Sequence, residues 1–156
     1  MRTYHRILAL VALNADAEAV AVRALQMSRS YNATLALAAV VDYRPGYECD
    51  HMPFMTPEQL RLATIKDVTE KLDELVDKIG AGGAEIIVAG GRENEAVADI
   101  ASSWRPDLVL VGARAPHGLD GVAVKPVRPL PYDVLIVQNG RPSKVGRLIN
   151  ALSAAF

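Results

Sequence analysis

Cysteine is almost absent from this chain: Cys49 stands alone among 156 residues, so no intramolecular disulfide can form. Charge of one sign is not in excess either, with 17 basic against 18 acidic side chains. That balance leaves no basic footprint for nucleic acid or for an anionic membrane surface. No apolar run approaches the roughly 18 residues that a membrane span requires. His5, His51 and His117 lie far apart, and neither an HExxH pattern nor a cysteine pair accompanies them. Gly-x-Ser-x-Gly does not occur, and no motif places paired carboxylates. These absences predict no catalytic residue set and no metal centre.

Aromatic side chains make up only 5% of the chain, yet 51% of it is hydrophobic, chiefly Ala, Val, Leu and Ile. Such a composition suits buried parallel strands covered by alanine-rich helices. The length fits one domain with a single sizeable core. The basic start is followed by an apolar run over 7–13, and Ala15-Asp16-Ala17 resembles a cleavage site. The run is short, and an amphipathic helical pattern follows it. We therefore read no signal peptide and expect a cytoplasmic protein.

Residues 7–13 read as a strand buried on both faces. Asn14 is the expected cap of the next helix, with Asp16 and Glu18 in its first turn and Val20, Ala24, Met27 and Tyr31 at helical spacing. A second strand over 33–41 ends before Asp42, and an irregular stretch over 43–55 holds Cys49-Asp50-His51. Three neighbouring donors do not close a tetrahedral site without distant help, so this cluster reads as an ordinary loop with an exposed thiol. Thr56-Pro57-Glu58-Gln59 opens a helix with an N-cap and proline at N1. Ile65, Val68, Leu72, Leu75, Val76 and Ile79 mark its buried stripe, and Gly80 stops it. Further strands are expected over 84–89, 106–112 and 133–138, with a helix over 93–104 that turns Val97, Ile100, Ala101 and Trp104 inward. This alternation, with right-handed crossovers, predicts an α/β fold: a doubly wound, five-stranded parallel sheet in a three-layer sandwich.

In such a sheet, ligands bind beyond the carboxyl ends of the strands, where the strand order reverses. A phosphate there needs glycines that let backbone N–H groups approach it. The fourth strand does end in Gly112, but the chain continues Ala113-Arg114-Ala115-Pro116-His117-Gly118-Leu119-Asp120-Gly121. Pro126, Pro129 and Pro131 then remove N–H donors and bar a long helix. Arg114 and His117 are the residues of this loop suited to a small anion.

Tyr4-His5-Arg6-Ile7-Leu8, Met27-Ser28-Arg29-Ser30-Tyr31-Asn32-Ala33, Val40-Val41-Asp42, Asp107-Leu108-Val109-Leu110-Val111-Gly112 and Val134-Leu135-Ile136-Val137 together resemble the universal stress protein family. The resemblance covers about residues 4–138 and rests on the order and spacing of these segments. It implies the adenine nucleotide alpha hydrolase-like fold, strand order 3-2-1-4-5, and a homodimer joined through Val134, Leu135, Ile136 and Val137. The family's ATP binders carry an aspartate at the end of strand one, where this chain has Ala12, and Gly-x2-Gly-x9-Gly-Ser/Thr after strand four. Counting forward from Gly112 puts Ala115 at the second glycine and Lys125-Pro126 at the final pair. Counting back from strand five puts Asp120-Gly121 at that pair, and Asp120 repels a triphosphate. The pattern is that of the non-ATP-binding universal stress protein A group: a noncatalytic, dimeric stress-response protein with an unidentified protein partner. The alternative is a nucleotide or small-anion sensor for AMP or phosphate, whose crevice positions are Ala12, Val41, Gly112, Arg114, His117 and Gly118. The family domain is expected over 1–140. The extension over 141–156 has Val145, Leu148, Ile149 and Leu152 on one face of a short amphipathic helix.

Overall fold

The computed structural model describes residues 2–13, 16–41, 55–113 and 130–138. Its elements follow in the order β1 (Arg6–Leu10), α1 (Ala17–Tyr31), β2 (Thr34–Val41), α2 (Pro57–Ile79), β3 (Glu85–Gly90), α3 (Glu93–Trp104), β4 (Leu108–Gly112) and β5 (Asp133–Val137). Every strand pair is parallel, and the order across the sheet is β3-β2-β1-β4-β5. The expected topology is therefore the one found. β1 is central, with Ile7 level with Leu35 of β2 on one side and Leu108 of β4 on the other.

Side chains alternate between the two faces of a strand, and here both faces are apolar. Ile7, Ala9, Leu35, Leu37, Leu108 and Leu110 pack with Val20 and Ala24 of α1 and Val68, Leu72 and Val76 of α2. Leu8, Ala36, Ala38, Val109 and Val111 pack on the opposite face with Val97, Ile100 and Trp104 of α3. The result is three layers. Most of the stripes read from helical spacing are buried, although Met27, Tyr31, Ile65, Leu75, Ile79 and Ala101 are only half-buried, and the buried stripes also include Leu60 and Ala96.

Local signals explain the element ends. Thr56 accepts a hydrogen bond at Oγ1 from Gln59 N–H (3.2 Å), and Gln59 Oε1 accepts one from Thr56 N–H (3.0 Å). This reciprocal cap, with Pro57 at the first helical position, starts α2. Gly80 ends it at φ +73°, a left-handed conformation that glycine adopts without strain. Asn32 ends α1 in the same conformation at φ 53°. The start of α1 differs from expectation: Asp16 is the N-cap residue and the helix begins at Ala17, while Asn14 lies outside the described residues. β1 and β4 are also shorter than their apolar runs. Beyond Leu10, Val11 N–H donates to Ala38 O at 2.8 Å before the chain leaves the sheet for α1. Pro106 has no N–H to give, and β4 begins at Leu108.

Among the described residues, no helix is long and apolar enough to cross a membrane. The stretch over 43–54 with Cys49-Asp50-His51, most of the loop after β4, and the extension over 141–156 lie outside the described residues.

Candidate functional site

β1 and β4 lie side by side at the centre of the sheet, but the chain leaves β1 through α1 on one face and enters β4 from α3 on the other. Their carboxyl ends therefore form the reversal point at which doubly wound sheets bind ligands. Ala12 follows β1 half-buried, and Leu13 beyond it is exposed. Gly112 is the buried last residue of β4 and lies level with Val137 of β5. Ala113 N–H donates to Val137 O at 3.1 Å, so β4 and β5 stay paired to the rim. Val41 ends β2 half-buried and accepts Gly91 N–H at 3.0 Å. Gly91 takes φ +126°, which turns the chain sharply out of β3. Of the crevice positions expected from sequence, Ala12 and Gly112 thus flank the reversal point and Val41 ends the next strand. Arg114, His117 and Gly118 lie outside the described residues.

Asp16 is the residue that sequence reading missed. It is only 2% exposed, and it packs directly on the end of β4. A Cβ on Gly112 would stand 3.2 Å from Asp16 Cβ, 3.4 Å from Val20 Cγ2 and 3.6 Å from Asp16 Oδ2. A side chain at this position would press α1 away from β4 by a few tenths of an ångström, so the glycine suits their close approach. A signal for this was present: Asp16 precedes Val20 by four residues, so both fall on one helical face, and Val20 belongs to the buried stripe. Reading Asp16 only as a first-turn acid overlooked that phase.

At the amino ends of the strands a cleft of about 310 Å³ is lined by Arg2, Tyr4, Asp107, Tyr132 and Asp133, among others. Both carboxylates there are engaged. Asp107 accepts from the backbone N–H groups of His5 (2.7 Å) and Arg6 (3.0 Å). Asp133 accepts from Arg2 Nη1 (2.7 and 2.8 Å) and from Tyr4 Oη (2.7 Å). The hydrogen bond to Asp133, and then burial, raise the Tyr4 hydroxyl above the ordinary tyrosine pKa. Burial does the same for Tyr132. These contacts tie the chain before β1 to the starts of β4 and β5, and we read them as a structural clamp. A related anchor holds the end of α3. The Arg6 guanidinium lies 4.2 Å from the Trp104 ring centroid, Arg6 Nε donates to Trp104 O, and Trp104 Nε1 donates to Glu85 at 3.0 Å.

Comparison with known proteins agrees with this architecture. No curated protein sequence matches the chain significantly. Universal stress protein UspA of Lactobacillus plantarum has 19% sequence identity and a TM-score of 0.58, over 88% of this chain and 99% of that one. A universal stress protein solved in complex with cAMP shows 20% identity and a TM-score of 0.53, over 87% and 98%. The universal stress protein of Archaeoglobus fulgidus, in complex with dAMP, shows 21% identity and a TM-score of 0.53, over 87% and 99%. At such identities the likeness concerns the fold. The sequence itself matches the model of the universal stress protein family over residues 3–138. With that match spanning nearly the whole sheet and its helices, the chain belongs to the universal stress protein family.

Proposed function

We propose that this chain is a noncatalytic, cytoplasmic universal stress protein that works as a homodimer and through a protein partner, without holding ATP. The observation that carries the reading is at the centre of the sheet: position 12, just beyond β1, is alanine, where the family's ATP binders have a carboxylate. The loop after Gly112 adds to this, since its prolines withdraw the N–H groups on which a triphosphate would lie. Each lost charge-assisted contact forfeits about 1.5–3 kcal/mol, so two such losses weaken ATP binding by on the order of a hundredfold or more. Native mass spectrometry of freshly purified protein tests both halves of the proposal. The expected spectrum is a dimer without nucleotide mass. Micromolar, magnesium-dependent ATP binding in a calorimetric titration would overturn it.

A second reading is a sensor for AMP or a small anion, with Arg114 and His117 as its cationic groups. What favours it is that two of the similar structures are complexes with adenine monophosphates, cAMP and dAMP. Such binding should weaken as pH rises through the histidine range, because only the protonated ring adds charge. Titrating AMP and inorganic phosphate at two pH values checks this. An affinity for AMP that does not change with pH counts against a role for His117.

A further inference from the structure

Among the described residues, the face of β5 on the α3 side of the sheet has no helix over it. Side chains alternate along a strand, so Ile136 shares this face with Tyr132 and Val134, which pack against the cluster of Val97, Ile100 and Trp104. α3 itself lies over β2 and β3, toward the far edge, and the helix close to β5 is α1 on the opposite face. Tyr132 and Val134 are half-buried and Ile136 is exposed, which leaves an apolar stripe about 13 Å long. The connection from β4 to β5 moves across the sheet in the same direction as that from β3 to β4, so a right-handed crossover takes this same face. Such crossovers commonly supply a covering helix, but Pro126, Pro129 and Pro131 bar a long one here.

The sequence beyond β5 offers a cover of matching size. Asn139-Gly140 is a turn dipeptide directly after the strand, and Pro142 suits the first turn of a helix. Val145, Leu148, Ile149 and Leu152 then fall on one helical face about 10 Å long. Gly146 lowers the helix propensity, so a surface to pack on must hold this helix together. α1 already occupies one face of β5. We propose that the extension over 141–156 turns back antiparallel to β5 and docks as a helix on its α3-side face, covering Tyr132, Val134 and Ile136. The extension lies over a face of the strand and leaves its backbone edge open to a second copy, so the inference does not depend on the homodimer.

Thiol labelling on the full-length chain tests this. Cys49→Ser removes the only cysteine, and a single new one is placed at Leu148→Cys, on the apolar helical face, or at Asn150→Cys, on the opposite face. Leu152→Cys repeats the measurement from the apolar face, in case replacing Leu148 itself loosens the extension. Thermal melts confirm that each variant is folded. Maleimide should label position 148 or 152 at least about tenfold more slowly than position 150, which corresponds to an extension docked about nine-tenths of the time. Adding Ile136→Lys should abolish the contrast, whereas Leu62→Lys, at an exposed site on α2 in the other layer, should leave it. Equal rates at 148, 150 and 152 overturn the inference, because a loose extension exposes all three alike. A contrast that survives Ile136→Lys overturns it as well, since the extension would then pack elsewhere. So does a contrast that is lost on dilution to single copies in light scattering, because the extension would then cover a second copy.

Discussion

Tyr4 shows how one side chain can couple the edge of the sheet to its centre. It precedes β1, the central strand, yet its hydroxyl donates to Asp133 at the head of β5, and its ring meets Tyr31 of α1 edge-on at 5.3 Å. Its pKa is raised first by the bond to Asp133, so the folded state favours the neutral phenol. The resulting stability is fully present below the unfolded tyrosine pKa of about 10 and is lost as pH rises through the higher folded value. Because the pair is partly solvated, its contribution is small. Tyr4→Phe should therefore flatten the decline in stability above about pH 10, as measured by urea melts at graded pH. A decline as steep as that of the unmodified chain would assign the alkaline sensitivity elsewhere, for instance to Tyr132. A second residue-scale prediction concerns packing. Leu72 is fully buried between α2 and the sheet, so Leu72→Ala should cost about 2–5 kcal/mol in denaturant unfolding. A loss below about 1 kcal/mol would mean that α2 settles into the space.

Helices announced their limits in the sequence better than strands did, and the reason is chemical. Thr56, Pro57 and Gln59 each act on a neighbouring backbone group, so the start of α2 is written locally. Thr56→Ala removes the acceptor for Gln59 N–H and should cost about 0.5–2 kcal/mol in the same unfolding assay, with unchanged helix content by circular dichroism. No measurable loss would show that Pro57 and Glu58 suffice to start the helix. α3 was equally legible, and Glu93–Trp104 is the span its spacing predicts. Strand ends are set by partners elsewhere in the chain. The apolar run over 7–13 outlasts β1 because the paired register with β2 and β4 runs only to Leu10, with Val11 N–H making one further bond to Ala38 O. Nothing in residues 11–13 themselves records that. The site divides in the same way. Ala12 and Gly112 could be located from the apolar runs alone. The pressing of Asp16 onto Gly112 depends on how α1 lies across β4, a tertiary relation that helical phase only hints at.

On the scale of the whole molecule, the sheet has two edges, and they are finished differently. β3 has α2 packed across one of its faces and α3 across the other. β5, at the opposite edge, has Leu135 and Val137 on the layer of α1 and α2, and Val134 on the layer of α3. Ile136 alone among its apolar residues is exposed, at 43%. An apolar edge of this kind invites pairing, and across a two-fold axis the same residues meet their own copies. The homodimer proposed through Val134, Leu135, Ile136 and Val137 would cover it. Choice of probe matters here. Leu135→Lys or Val137→Lys would place a charge against the core, so loss of the dimer could merely report unfolding. Ile136→Lys leaves the core intact and puts two like charges near the axis. Losing the burial of a half-exposed isoleucine costs about 1 kcal/mol per copy, so the dimer should weaken about thirtyfold before charge repulsion is counted. Light scattering at micromolar concentration should then show the monomer mass for Ile136→Lys, while its melting curve stays close to that of the unmodified chain. A dimer that persists across dilution in this variant would place the contact between copies on another surface.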